Sequence, residues 1–231
     1  MTDIGGKCRG AGLGGVPAIG LVGGWSFPAD MFAPLVSRLS SAGVSCHDWQ
    51  GFADAWLGES PRDSIAGGTW LGWSLGGGLL LEAIARGRIR PDRLVLVSAT
   101  PRFLAADGWP GVASGEWRAL RRTTVANARS AACGFRQHFG LPDCHALPPG
   151  MSADVEGLDW LGAIDQRELL GGLTIPVEVW LAPGDPLIPP TWIDHLSLAR
   201  SVTCRILPGS GHGAIFDAWD DLARTLDAGA V

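Results

Sequence analysis

The stretch Thr69-Trp70-Leu71-Gly72-Trp73-Ser74-Leu75-Gly76-Gly77-Gly78-Leu79-Leu80-Leu81-Glu82-Ala83 is the part of the chain from which the fold can be read. An apolar run up to Gly72 and a helix-like apolar run from Leu79 to Ala85 flank the pattern Gly72-Trp73-Ser74-Leu75-Gly76. This predicts a strand, a sharp turn and a helix, with a serine at the apex. A serine held on a strained turn needs neighbours without a Cβ if strand and helix are to pass closely, and Gly76, Gly77 and Gly78 meet that need. The start of the helix aims free N–H groups and a positive dipole end at the same spot, where developing negative charge would be stabilised.

Outward from this point, apolar runs alternate with helical spacing. Pro17 to Val22, Val44 to Trp49, Arg93 to Val97, Val177 to Leu181 and Val202 to Leu207 read as strands. Ala29 to Leu39 and Ala214 to Leu226 read as helices, and the helix after Ser74 ends at Gly87. The alternation implies an α/β fold with a mostly parallel sheet covered on both faces. The glycine-rich lead-in, residues 1–16, has neither a preceding strand nor a following helix, so its glycines are no dinucleotide fingerprint.

The rhythm breaks at about residues 102–172, which contain Trp109-Pro110-Gly111 and Leu147-Pro148-Pro149-Gly150 and look helical between them. We read this part as a helical cap inserted into the single sheet domain. If one helix ran from Glu116 to Phe139, Arg122, Arg129 and Arg136 would fall at about 40°, 20° and 0° from Arg118, all on one face. Such a face is either a solvated surface or a docking stripe for an anionic partner.

The 231 residues are enough for one sizeable core, and 46 % hydrophobic against 18 % charged residues is ordinary globular composition. The formal charge of −5 speaks against a nucleic-acid partner. No apolar run approaches the roughly 20 residues that span a bilayer, and nothing marks the chain for export, so a cytoplasmic protein and a monomer are expected. The five cysteines lack any Cys-x-x-Cys pair and are expected to be free thiols.

A serine hydroxyl is a weak nucleophile until a base takes its proton, and the base needs a third group to fix its tautomer. Asp185 follows the strand Val177 to Leu181, and His212, in Gly211-His212-Gly213, follows the last strand. The chain order Ser74, Asp185, His212 is the one that a strand-turn-helix serine site uses. Asp185 could instead cap a turn before Pro186. Asp194, Asp217, Asp220 and Asp221 sit in helix-like runs and are weaker third members, while His47, His138, His145 and His195 are expected on the surface. An oxyanion hole would use the backbone N–H of Leu75 and of Trp25, the latter on the loop after the first strand. Ester chemistry on this set needs no metal or organic cofactor.

Gly24-Trp25, Gly72 to Gly77, Ser98-Ala99-Thr100-Pro101-Arg102-Phe103 with Asp107-Gly108-Trp109-Pro110-Gly111, Gly184-Asp185 and Gly211-His212 together resemble the pimeloyl-acyl-carrier-protein methyl ester carboxylesterases of biotin synthesis. The resemblance runs from about Pro17 to the end. It implies an α/β-hydrolase fold with a helical cap, nucleophile Ser74, acid Asp185, base His212 and substrate contacts from Trp25 and Trp73. It further implies acyl carrier protein as partner, held by cap arginines such as Arg118, Arg122, Arg129 and Arg136. The family has His-Gly-Trp where this chain has Gly23-Gly24-Trp25, and the lead-in is too short for the family's first two strands, so a sheet of about six strands is expected. The alternatives are a general short-chain carboxylesterase or thioesterase acting on small free substrates, and a catalytically silent binding protein.

Overall fold

The computed structural model describes residues 17–41, 43–142, 154–196 and 201–228. The glycine-rich lead-in, His145 and the Leu147 to Gly150 punctuation lie outside them. In chain order, β1 (Ile19–Val22) leads through a 3-10 turn, Ala29–Phe32, into the short α1 (Ala33–Val36) and then β2 (Val44–His47). Next come α2 (Trp49–Trp56), β3 (Ile65–Ala66), β4 (Thr69–Trp73), α3 (Leu75–Ala85), β5 (Ile89–Arg90) and β6 (Arg93–Val97). Four helices follow before the sheet resumes: α4 (Ser114–Ala126), α5 (Ala128–His138), α6 (Val155–Ala163) and α7 (Arg167–Gly172). The chain closes with β7 (Val177–Leu181), β8 (Val202–Ile206) and α8 (Trp219–Asp227).

Six strands form one sheet in the order β2-β1-β4-β6-β7-β8, every neighbouring pair parallel. Parallel strands need crossovers, and the crossovers cover both faces, so the two sets of side chains of an inner strand both go into apolar cores, whereas the edge strand β8 is largely exposed. Leu94 and Leu96 of β6 join Trp49, Phe52, Trp70 and Leu79 on one face. Val95 and Val97 of the same strand join Phe32, Leu35, Trp180 and Leu222 on the other. Among the described residues no helix is long and apolar enough to cross a membrane.

Two expectations are corrected. The single helix over Glu116 to Phe139 is two helices, because Asn127 has extended backbone (φ −161°, ψ 94°) and its side chain accepts from Ser130 N at 2.9 Å, capping α5. The face drawn from Arg118 to Arg136 is therefore broken between Arg122 and Arg129. Free thiols were expected at all five cysteines; Cys204 is free and exposed, but Cys46 and Cys133 are disulfide-bonded.

The turn at the centre of the sheet is tight for a geometric reason. Ser74 has φ 54° and ψ −123°, outside the regions open to ordinary residues, and its N–H donates to Val97 O at 3.0 Å. A Cβ on Gly72 would lie 2.5 Å from Gly77 Cα, so strand and helix can cross here only as glycine backbones.

Candidate active site

Ser74, Asp185 and His212 leave the sheet at the carboxyl ends of β4, β7 and β8, the edge at which open parallel sheets place their sites. His212 Nε2 lies 2.8 Å from Ser74 Oγ, and His212 Nδ1 lies 2.8 Å from Asp185 Oδ2. Asp185 and His212 are buried. The other carboxylate oxygen, Oδ1, accepts from Leu187 N at 2.9 Å and Ile188 N at 3.0 Å. The turn-capping role weighed for Asp185 and its contact with histidine are thus both present, one on each oxygen. Trp73 stacks obliquely on the His212 ring, 5.4 Å between centroids, and limits how far the imidazole can rotate. None of the four aspartates considered as weaker third members makes a recorded contact with His212 among the described residues.

The loop after β1 comes up against the serine, since a Cβ on Gly24 would sit 3.0 Å from Ser74 Cβ. Leu75 is the first residue of α3, where a backbone N–H has no intrahelical partner. Among the described residues no acceptor is recorded for the Trp25 N–H either. At Gly23, where the resembled family has histidine, a Cβ would lie 3.3 Å from Met31 Sδ, a tight contact with a flexible side chain.

A cavity of about 920 Å³ opens over Ser74 and His212. Its walls are largely apolar: Trp25, Trp73 and Leu187 from the sheet side, and Phe103, Trp117, Leu120, Phe135, Phe139, Leu158 and Leu161 from the segment between β6 and β7. Trp25 and Trp117 do not swing freely. Their indole N–H groups donate to Asp154 O at 2.9 Å and Leu158 O at 2.8 Å, which ties the walls to α6 and its N-cap.

Arg118, Arg122 and Arg129 are exposed. Arg136 is not, and this corrects its placement on a docking face: at 1 % exposure its guanidinium donates to Ser26 Oγ, Ser26 O and Pro142 O and lies over the Phe27 ring. His47 is also corrected. It was expected on the surface but lies at the end of β2 among Trp56, Phe52 and Trp70, and burial, assisted by the Arg62 charge, pushes its pKa down to about 4. His138 and His195 are exposed as expected. Sequence reasoning missed Ser26, although a serine in a Gly-Gly-Trp-Ser-Phe-Pro loop is a turn signal.

No family model matches the chain. The pimeloyl-[acyl-carrier protein] methyl ester esterase of Aliivibrio salmonicida is 30 % identical over 73 % of this chain and 74 % of its own length. The chain belongs to this esterase family. The enzyme of the same name from Xanthomonas campestris pv. campestris is 28 % identical over 93 % of this chain and 95 % of its own. Among solved structures, an esterase from Exiguobacterium antarcticum superposes with a TM-score of 0.73 at 21 % identity, covering 94 % of this chain and 93 % of its own. The enol-lactonase from Burkholderia xenovorans gives 0.63 at 19 %, covering 94 % and 92 %. The family member described here has the α/β-hydrolase fold and is a carboxylic ester hydrolase.

Proposed function

We propose that the enzyme hydrolyses the methyl ester of a pimeloyl chain carried on acyl carrier protein, with Ser74 as nucleophile, His212 as general base and then acid, and Asp185 as the group that fixes the imidazole. The observation that carries this reading is the unbroken run of two 2.8 Å hydrogen bonds from Asp185 through His212 to Ser74, set at the floor of an apolar cavity. Relatives bearing that activity in their names align over most of the chain.

Ser74 Oγ attacks the ester carbonyl carbon while His212 Nε2 takes its proton. The carbonyl oxygen becomes an oxyanion that accepts from the backbone N–H groups of Leu75 and Trp25. The intermediate collapses, His212 returns the proton to the departing methoxide, and methanol leaves the acyl-Ser74 ester behind. Water, deprotonated by His212, attacks that ester by the same route and releases the free carboxylate and Ser74. Asp185 keeps Nδ1 protonated, so that Nε2 faces the serine as an acceptor.

The cavity volume lies in the range of small-molecule sites and its apolar walls, Trp25 and Trp73 among them, suit a methylene chain. A second recess beside Ser74, lined by Gly78, Thr100 and Ile188 among others, offers only about 10 Å³, room for nothing much larger than a methyl group. The segment at about residues 102–172 serves as a cap that shields the acyl chain from water. Arg118, Arg122 and Arg129 on its outside attract the acidic carrier, a role in which Arg136 takes no part.

The test compares wild type and Ser74→Ala on the carrier-bound methyl ester and on p-nitrophenyl acetate. Wild type should show a kcat/KM at least about tenfold higher on the carrier-bound ester, and Ser74→Ala should lose on the order of 10⁶ in kcat on both. Equal efficiency on the two substrates would point to a general esterase. Normal turnover by Ser74→Ala would remove the nucleophile assignment.

A further inference from the structure

Arg136 sits on α5, a helix whose neighbouring Arg129 and Ser130 are exposed, yet it is among the most deeply buried large side chains of the protein. Its Nε donates to Ser26 Oγ at 3.1 Å, its Nη2 to Ser26 O and its Nη1 to Pro142 O at 3.4 Å. The guanidinium carbon lies 3.6 Å from the centre of the Phe27 ring, and that ring meets Trp73 edge-on at 4.9 Å. A planar fork of donors that is always charged suits such a fixed multiple contact better than a lysine would.

What Arg136 grips is a strained turn. Phe27 N donates to Gly24 O at 3.2 Å, closing a four-residue turn in which Ser26 has φ 69°. That third position, with positive φ, is the one type II turns give to glycine, because other residues are strained there. Strain of this kind persists only where the surroundings over-determine the backbone. Here both the hydroxyl and the carbonyl of the strained residue accept from one guanidinium. The residue before it is Trp25, and Gly24, the first residue of the turn, comes close to Ser74: a Cβ there would lie 3.0 Å from Ser74 Cβ.

We infer that Arg136 is a positioning residue for ester hydrolysis. It holds Ser26 in the left-handed conformation and thereby aims the Trp25 N–H at the oxyanion, so that α5 sets the alignment of a catalytic donor. This rests on the site assignment under Proposed function. It also gives the buried arginine a task distinct from that of the exposed arginines of the same segment.

The test is a cycle of Arg136→Met and Ser26→Gly, with kcat and KM measured on p-nitrophenyl acetate. Arg136→Met alone should lower kcat by roughly ten- to hundredfold, less than outright loss of an oxyanion donor, with KM within about threefold. Glycine takes positive φ unaided, so in the Ser26→Gly background the same change should cost about threefold or less. An equal cost in both backgrounds, or an unchanged kcat in Arg136→Met, overturns the inference, because a merely structural arginine would act without regard to residue 26. Should Arg136→Met fail to fold, Ser26→Ala against Ser26→Gly decides. Alanine keeps the strain and loses the hydroxyl, so it should be about tenfold slower than glycine, and equality overturns the inference. Ser74→Ala is assayed alongside. Surviving turnover there removes the site assignment and this inference with it, whereas an inactive Ser74→Ala with an additive cycle removes the inference alone.

Discussion

The carboxyl edge of the sheet and the helical segment between β6 and β7 both build the site, but from different kinds of residue. At the sheet edge, Ser74 directly follows β4, and Asp185 and His212 stand a few residues past the ends of β7 and β8, so the parallel register that aligns the strands also aligns the side chains. In the helical segment no such frame exists. Its walls are set by long-range contacts such as Trp25 Nε1 to Asp154 O and Arg136 to Ser26, between residues far apart in the chain. Geometry inherited from a rigid sheet supports Ser74, Asp185 and His212, and geometry assembled from separate helices shapes what surrounds them.

The sharpest way to break this comparison is at Asp185. Asp185→Asn keeps an oxygen for Leu187 N and Ile188 N but favours the wrong imidazole tautomer. We expect kcat to fall by about ten-thousandfold, as in the best-studied triad, with the thermal midpoint little changed. A near-silent Asp185→Asn would mean that the sheet edge orients His212 by packing against Trp73 alone.

The same contrast explains what the sequence revealed. Arg93 to Val97 and Val177 to Leu181 are strands with the predicted bounds, because a strand buried on both faces is apolar at most positions, which leaves a nearly continuous signal; the exceptions, Arg93 and Glu178, pair with each other. The serine turn was equally legible, since its glycines answer to a backbone contact rather than to a distant partner. By contrast, Val44 to Trp49 was read one element too far. Trp49, Phe52, Ala53 and Trp56 are the buried stripe of α2, and Asp48 caps it through Gly51 N, a start signal lying in plain view. The break at Asn127 likewise had a local cause, and one helix drawn through it put Arg136 on the same face as Arg118. The burial of Arg136 was not legible locally. An arginine in a helix normally faces water, and it takes the tertiary fold to bring up the Ser26 carbonyl, 110 residues earlier, to which this one donates.

A smaller effect would sharpen the comparison from the outer side of the helical segment. Arg118, Arg122 and Arg129 are exposed, and no ion pair is recorded for them among the described residues, whereas Arg121 pairs with Asp159 at 2.6 Å. Reversing Arg118 and Arg122 to glutamate should raise KM for the carrier-bound ester by about tenfold and weaken its dependence on salt, with p-nitrophenyl acetate hydrolysed as before. Equal effects on both substrates would mean that the outer face reaches the cavity after all, and no effect on either would make it a solvated surface.

The smallest effect concerns stability and contrasts two histidines of the same sheet edge. His212 is held by polar partners on both ring nitrogens, whereas His47 is surrounded by Trp56, Phe52 and Trp70, with Ser45 Oγ 3.3 Å from its Nε2. The folded protein therefore keeps His47 neutral down to a pKa of about 4, while in the unfolded chain the ring titrates near 6.5. Between those values the unfolded state binds the extra proton, so stability is fully present above pH 6.5 and declines as the pH falls towards 4. The contribution amounts to at most about 3.5 kcal/mol, since each pKa unit is worth about 1.4 kcal/mol. Thermal midpoints of wild type and His47→Gln measured from pH 7.5 to pH 4 should diverge in slope, with the variant losing the part that His47 contributes. Parallel curves would show that the acid sensitivity of the fold comes from other groups.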